Sequence, residues 1–176
     1  QIADGVYVTE PEQAYYLYEL TMDGRSQTGI VACCAVDDYI NGVIRKHENT
    51  REEKELDRIR HVDITNAHTG PIFLAYRKQD ELKDRVEKAK EQEALYDFVS
   101  EDGIRHRVWK IGLSQEIKAI EAAFEKIPAA YIADGHHRAA SAVKAGLKRR
   151  QEQPGYTGEE PFNYFLAVLF PDDELM

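Results

Sequence analysis

The residues best suited to chemistry lie in one run, Asp134-Gly135-His136-His137-Arg138. An apolar, β-prone stretch precedes the run and a stretch with helical periodicity follows it, so we predict a turn between a strand and a helix start. The first amides of a helix have no intrahelical partner and the helix dipole is positive there, which suits an anion. Arg138 adds a fork of donors that matches phosphate oxygens. Asp134, at the end of a strand, is a candidate Mg²⁺ ligand or proton acceptor.

A simpler interpretation of the same run is a structural turn. Asp134 would then be the N-cap, Gly135 would supply a positive φ, and the histidines and Arg138 would be solvated. That interpretation suffices for any one of these residues. Four titratable side chains within five positions favour a functional site instead.

A second group of polar residues precedes a charged helix predicted over residues 51–60. Glu48 is a candidate general base, with His47 beside it to orient it or tune its pKa. Thr50 is a suitable N-cap for the helix, and Lys54 and Arg58 follow at helical spacing, either in exposed ion pairs or on a polar stripe turned toward the site. A surface loop with solvated charges is the alternative, and these residues alone favour it.

Composition limits the class of protein. The chain has 176 residues, of which 43% are hydrophobic, and this indicates one ordinary globular domain over residues 1–176. Its net charge of −9 disfavours a nucleic-acid partner, because binding to phosphates requires a basic surface. Cys33 and Cys34 are adjacent without metal-ligand spacing, as in reduced cytoplasmic proteins. No apolar run is long enough to span a membrane, so we expect no membrane association. Because the chain starts with Gln in sequence that already looks folded, we expect a fragment of a longer protein.

Periodicity and turn residues predict an α+β, mixed α/β fold with a mixed sheet and flanking helices. An Asp23-Gly24 turn indicates an antiparallel hairpin, and Asp37-Asp38 is predicted to begin a loop. Strands are predicted over residues 5–9, 14–20, 28–36, 72–76, 106–111 and 162–170 and in the stretch before Asp134. Helices are predicted over residues 51–60, 80–99, 114–126 and from the turn to about 151, and the segment 80–99 is either one helix or two helices broken near Asp97.

The run around Asp134 resembles the hallmark of the family catalogued as domain of unknown function 1015. Other stretches resemble that family in the same order, so the resemblance covers nearly the whole chain. They are Tyr131-Ile132-Ala133 before the run and Ala139-Ala140 after it, residues 15–19, Thr28-Gly29, residues 42–50 with His47-Glu48, then Lys54, Asp57 and Arg58, residues 70–73 and the last strand over 162–170. The chain looks like the middle portion of such proteins.

That family is in turn distantly similar to a superfamily that joins ParB partition proteins, sulfiredoxin and free-serine kinases. The resemblance implies a ParB/sulfiredoxin-like core with insertions, centred here on residues 128–170. It implies phosphate binding by Gly135, His137 and Arg138, which match the shared turn. His136 stands where sulfiredoxin has its reactive Cys, so sulfinic-acid chemistry is not expected.

The resemblance also implies an activity. We expect a kinase that transfers a phosphoryl group from ATP or ADP, with Mg²⁺, to a small hydroxylated metabolite, free serine being the best candidate. Asp134, Glu48 and His137 are then the predicted catalytic residues and Asp134 the metal ligand. The predicted phosphate contacts are Gly135, His136, His137, Arg138, His47, Thr50, Lys54 and Arg58.

Two other classes of protein remain open. A nucleotide-binding switch of the ParB type would use the same pocket without turning over a small molecule, and a homo-oligomer is compatible with it. A metal hydrolase is suggested by His136, His137, Asp134, His47 and Glu48. Adjacent histidines point apart, however, and zinc ligands usually have helical or hairpin spacing, which disfavours this third hypothesis.

Overall fold

The structure is a computed structural model that describes residues 4–5, 9–48 and 52–175. For residues 52–54 it describes the backbone but not the side chains. The predicted strand over residues 5–9 lies mostly outside the described residues. Thr50 and the side chain of Lys54 also lie outside them.

One mixed sheet organises the part of the chain that the structure describes. Its eight strands are β1 (Tyr15–Met22), β2 (Arg25–Ala35), β3 (Ile44–Arg45), β4 (Ile72–Tyr76), β5 (Tyr96–Val99), β6 (Arg105–Ile111), β7 (Ala130–Asp134) and β8 (Tyr164–Pro171). They have the order β3-β7-β4-β8-β2-β1-β6-β5 in the sheet. β3 pairs with β7 and β4 with β8 in parallel, whereas the other neighbours are antiparallel. The predicted mixed α/β class is therefore confirmed.

Five α-helices and one short 3₁₀ turn (Pro161–Asn163) connect the strands of the described chain. The helices are α1 (Val36–Ile40), α2 (Glu52–Thr65), α3 (Asp80–Lys90), α4 (Ser114–Phe124) and α5 (His136–Glu152). Within the described residues, none of these helices has the length and apolar character needed to cross a bilayer.

The β1–β2 hairpin follows the predicted turn. Asp23 and Gly24 both have positive φ, at 51° and 77°, which matches the twist of the two flanking strands. Further along β2, a Cβ on Gly29 would lie 2.5 Å from Val168 Cγ1. Glycine is therefore required where β8 side chains lie close to the β2 backbone.

The core lies on one face of the sheet. Leu17 is opposite Ile30, and Ile30 is opposite Leu169, so their side chains share a face. These residues belong to one buried cluster that also contains Leu82 of α3 and Ala139 of α5. The helices α1, α3, α4 and α5 all contribute residues to this cluster, whereas α2 packs on α5. This packing fixes the position of the α5 N-terminus.

Two local predictions were wrong. The helix expected over residues 80–99 ends at Lys90, and Tyr96–Val99 form the edge strand β5. The aromatic and β-branched residues of that segment pair with β6, and this tertiary pairing overrides the charged periodicity. The loop expected at Asp37-Asp38 is the short helix α1, whose first turn carries both acids where the dipole favours them.

Candidate functional site

Three chain segments meet at one edge of the sheet. β3 runs parallel to β7, so residues that follow β3 lie beside those that follow β7. β4 runs antiparallel to β7, with Phe73 opposite Asp134, so the residues before β4 lie there as well. The structure thus brings His47 and Glu48 next to the Asp134–Arg138 run, although far apart in sequence.

The turn between β7 and α5 depends on glycine. Gly135 has a φ of 93° and is the N-cap of α5, and no side chain caps the helix. In the structural-turn interpretation, the positive φ predicted at Gly135 is therefore confirmed, and the prediction of Asp134 as the N-cap is wrong. A Cβ at Gly135 would lie 2.9 Å from Nη2 of Arg138, so the absent side chain also makes room for the guanidinium.

Arg138 lies over this turn and binds Asp134. Its Nη2 donates to Oδ2 of Asp134 at 2.6 Å. Its Nε is buried and has no hydrogen-bond partner among the described residues. Asp134 is 73% exposed, so the pair lies at the surface with one arginine donor still unsatisfied.

His136 is buried at the first position of α5. It is 6% exposed, and its ring meets that of His47 edge to face at 4.4 Å between centroids. Burial lowers the pKa of His136 below its usual value, and the charge of His47 lowers it further. We conclude that the ring is neutral near pH 7. Its Nε2 has no hydrogen-bond partner in the described chain.

His137 presents a third unsatisfied atom. Its Nδ1 is buried and lacks a hydrogen-bond partner within the described residues. Its carbonyl oxygen accepts a hydrogen bond from Ser141 Oγ at 2.6 Å, which holds the first turn of α5. A buried nitrogen without a partner costs about 1–3 kcal/mol, and a bound ligand or water would supply the partner that the described residues do not.

Glu48 lies beside both neighbouring histidines. Its Oε1 is 4.0 Å from His47 Nε2, and its Oε2 is 3.9 Å from His136 Nδ1. Glu48 and His47 are exposed, at 64% and 62%. These separations are longer than hydrogen bonds, so the carboxylate is near both imidazoles and open to solvent.

A small depression adjoins Arg138. Its volume is about 60 Å³, and its lining includes Arg58, His61, Thr69 and Gly70. Arg58, a predicted phosphate contact, therefore lines the same depression as Arg138. His61 and Thr69, with 3.3 Å between Nε2 and Oγ1, were not predicted, although the polar turn before β4 was a visible signal.

His68 lies in that turn and contacts the backbone. Its Nε2 is 3.2 Å from the carbonyl oxygen of Tyr164. Burial lowers the pKa of His68, which is consistent with a neutral donor to the backbone. Across the described ranges, no group of three or more His, Cys, Asp or Glu side chains is arranged to hold a metal ion.

Comparison with known proteins identifies the family. The family model described as "Protein of unknown function (DUF1015)" matches residues 1–176, the whole chain, and the chain belongs to that family. No curated protein and no solved structure matches the chain. The similarity to ParB, sulfiredoxin and free-serine kinases therefore stays a prediction.

Proposed function

We propose that the chain is a nucleotide-dependent phosphotransferase that acts on a small hydroxylated metabolite, free serine being the best candidate. One observation carries the proposal. Three buried atoms at the start of α5, Nε2 of His136, Nδ1 of His137 and Nε of Arg138, have no hydrogen-bond partner among the described residues. They lie at a helix N-terminus, where the first backbone amides and the dipole also favour an anion.

The residues present fit a nucleotide phosphate with a divalent cation. The amides after Gly135 and the Arg138 guanidinium would hold phosphate oxygens, and Arg58 would add charge from the adjoining depression. The negative carboxylate of Asp134 would repel the phosphates, and Mg²⁺ bound to this exposed carboxylate would offset that repulsion. Bound Mg²⁺ would neutralise charge that develops on the transferred group.

We assign roles to the remaining side chains that their positions support. Glu48 takes the hydroxyl proton of the acceptor, His47 orients Glu48, and His137 donates to the transferred group. The acceptor oxygen bonds to the terminal phosphorus while the bond from that phosphorus to the leaving nucleotide breaks. Thr50 and Lys54 keep their proposed phosphate contacts as predictions, because their side chains are not described.

An assay of the full-length protein tests this function. The protein is incubated with serine, Mg²⁺ and either ATP or ADP, and phosphoserine is followed by phosphorus NMR. We expect product with at least one donor, and at least about a hundredfold loss in Asp134→Asn and Glu48→Gln, because each change removes a charged catalytic group. Absence of product with both donors would exclude the serine kinase.

Matched controls separate catalysis from general damage. Asp84→Asn changes an exposed acid of α3, and Glu101→Gln changes an exposed acid of the β5–β6 turn, so both variants should keep full activity. If Asp134→Asn and Glu48→Gln are also fully active, the assigned roles are wrong. Nucleotide binding that promotes self-association, without acceptor-dependent turnover, would instead favour the ParB-like switch.

A further inference from the structure

A large cavity lies away from the proposed phosphate site. Its volume is about 680 Å³, against about 60 Å³ for the depression beside Arg138. This size falls within the range of small-molecule sites. Ala130, the first residue of β7, lines it, whereas Asp134 is the last residue of the same strand. The two sites are therefore separated by roughly 13 Å along β7.

The wall of the cavity is mainly apolar and aromatic. It lies on the helix-covered face of the sheet, between α4 and the strands. Tyr15 of β1, Cys34 of β2 and Phe124 of α4 contribute to it. Burial raises the pKa of Cys34 to about 12, so this thiol stays protonated and acts as an apolar wall rather than a nucleophile.

The charged groups of the cavity all have one sign. They are Asp38 of α1 and Glu121 and Glu125 of α4, and none of the described lining residues is Lys, Arg or His. Asp38 is half-buried and has no salt-bridge partner among the described residues. Tyr15 donates weakly to Glu121, at 3.5 Å. Glu121 and Glu125 are exposed, whereas Asp38 is half-buried, so Asp38 is the carboxylate that most needs a counter-charge. An apolar cavity with such a carboxylate is complementary to a cation that carries an apolar body.

We infer that this cavity binds an organic amine, with its apolar body between Tyr15 and Phe124 and its ammonium group at Asp38. A neutral molecule of the same shape would leave the carboxylates without a counter-charge, and an anion would be repelled. The inference does not depend on the proposed phosphotransferase activity, because no residue is shared between the two sites.

Three indole probes of similar size test the inference by isothermal titration calorimetry on the full chain. They are tryptamine, the alcohol tryptophol and the acid indole-3-acetate. We expect tryptamine to bind, tryptophol to bind about tenfold more weakly, and indole-3-acetate not to bind, because only the amine supplies a positive charge. Equal affinity for the three probes, or no binding of tryptamine, would overturn the inference.

Variants locate the binding event. Asp38→Asn should weaken tryptamine about tenfold and leave tryptophol unchanged, because the substitution removes charge without changing shape. Ala32→Phe, which fills the cavity from β2, should abolish binding of both, while Asp84→Asn on the exposed surface of α3 should change neither. Melting temperatures confirm that each variant is folded. Unchanged tryptamine binding in both Asp38→Asn and Ala32→Phe would place the probe elsewhere and contradict the inference.

Discussion

The buried carboxylate of Glu19 and the α5 turn, which lie in different halves of the sheet, differ in whether their buried polar atoms have partners among the described residues. In the half with the longer strands β1, β2 and β6, Glu19 is 1% exposed and fully partnered. Lys90 Nζ lies 2.8 Å from its Oε2, Thr28 donates to it, and Arg107 Nε donates to its Oε1 at 2.9 Å. Burial alone would raise the pKa of Glu19, but the bonds from Lys90 and Arg107 outweigh it and lower that pKa.

At the opposite edge, the shorter strands β3, β7 and β4 position buried nitrogens that have no described partner. A satisfied buried charge stabilises one fold, whereas an unsatisfied donor stabilises the fold only when a ligand supplies the acceptor. The first half therefore has the character of a scaffold and the second that of a binding site. Substitutions in the two halves should affect different properties.

The largest expected effect is on stability. Glu19→Ala removes the buried carboxylate that the partly exposed cations Lys90 and Arg107 share, although Lys90 keeps its contact with Glu87. We expect a loss of about 2–3 kcal/mol in the free energy of unfolding, measured by urea titration, with nucleotide affinity of the folded fraction unchanged.

Glu87 provides the control for that substitution, because it binds the same Lys90 at 3.2 Å but is 55% exposed. Glu87→Ala should cost less than about 1 kcal/mol. Equal losses in the two variants would show that Glu19 is no more important than a surface ion pair, and the contrast between the two halves would fail.

A smaller stability effect, combined with loss of binding, is expected at the α5 turn. Gly135→Ala requires an L-residue at a φ of 93° and displaces the Arg138 guanidinium. We expect about 1–2 kcal/mol of destabilisation by thermal unfolding and at least tenfold weaker ATP binding. Gly155→Ala, where a Cβ meets nothing within 4 Å, should change neither property. Retention of full ATP affinity by Gly135→Ala would disprove the phosphate site.

The smallest expected effect is a change in proton binding by His136. Because the pKa of His136 is lowered in the fold, the unfolded chain takes up this proton first, and stability falls as pH drops below the usual histidine range. A bound phosphate raises that pKa, so binding should take up a fraction of one proton near pH 6.5 and strengthen as pH falls, by less than tenfold per pH unit.

Titration calorimetry with ATP in two buffers of different ionisation enthalpy measures this uptake. His136→Gln should abolish it, whereas His106→Gln on β6, far from α5, should leave it unchanged. Proton release on binding, or uptake that persists in His136→Gln, would contradict the placement of the anion beside His136.

The sequence was sufficient for features that depend on neighbouring residues. Asp23-Gly24 specifies its hairpin because a tight turn needs two positive φ values. The strand, turn and helix around Gly135 follow from a change of hydrophobic period and a glycine at the boundary. The cluster of polar residues at a helix N-terminus was therefore predictable, and so was its suitability for an anion.

Features that depend on distant residues required the tertiary structure. Residues 96–99 form a strand only because β6 is beside them, so local charge periodicity predicted a helix. Parallel pairing of β3 with β7 places Glu48 beside His136, and no local signal gives that distance. The burial of His136 and the cavity that Asp38 lines likewise result from the packing of helices against one face of the sheet. Local backbone preferences determined the anion-binding turn, and long-range packing decided which of its side chains are buried and unsatisfied.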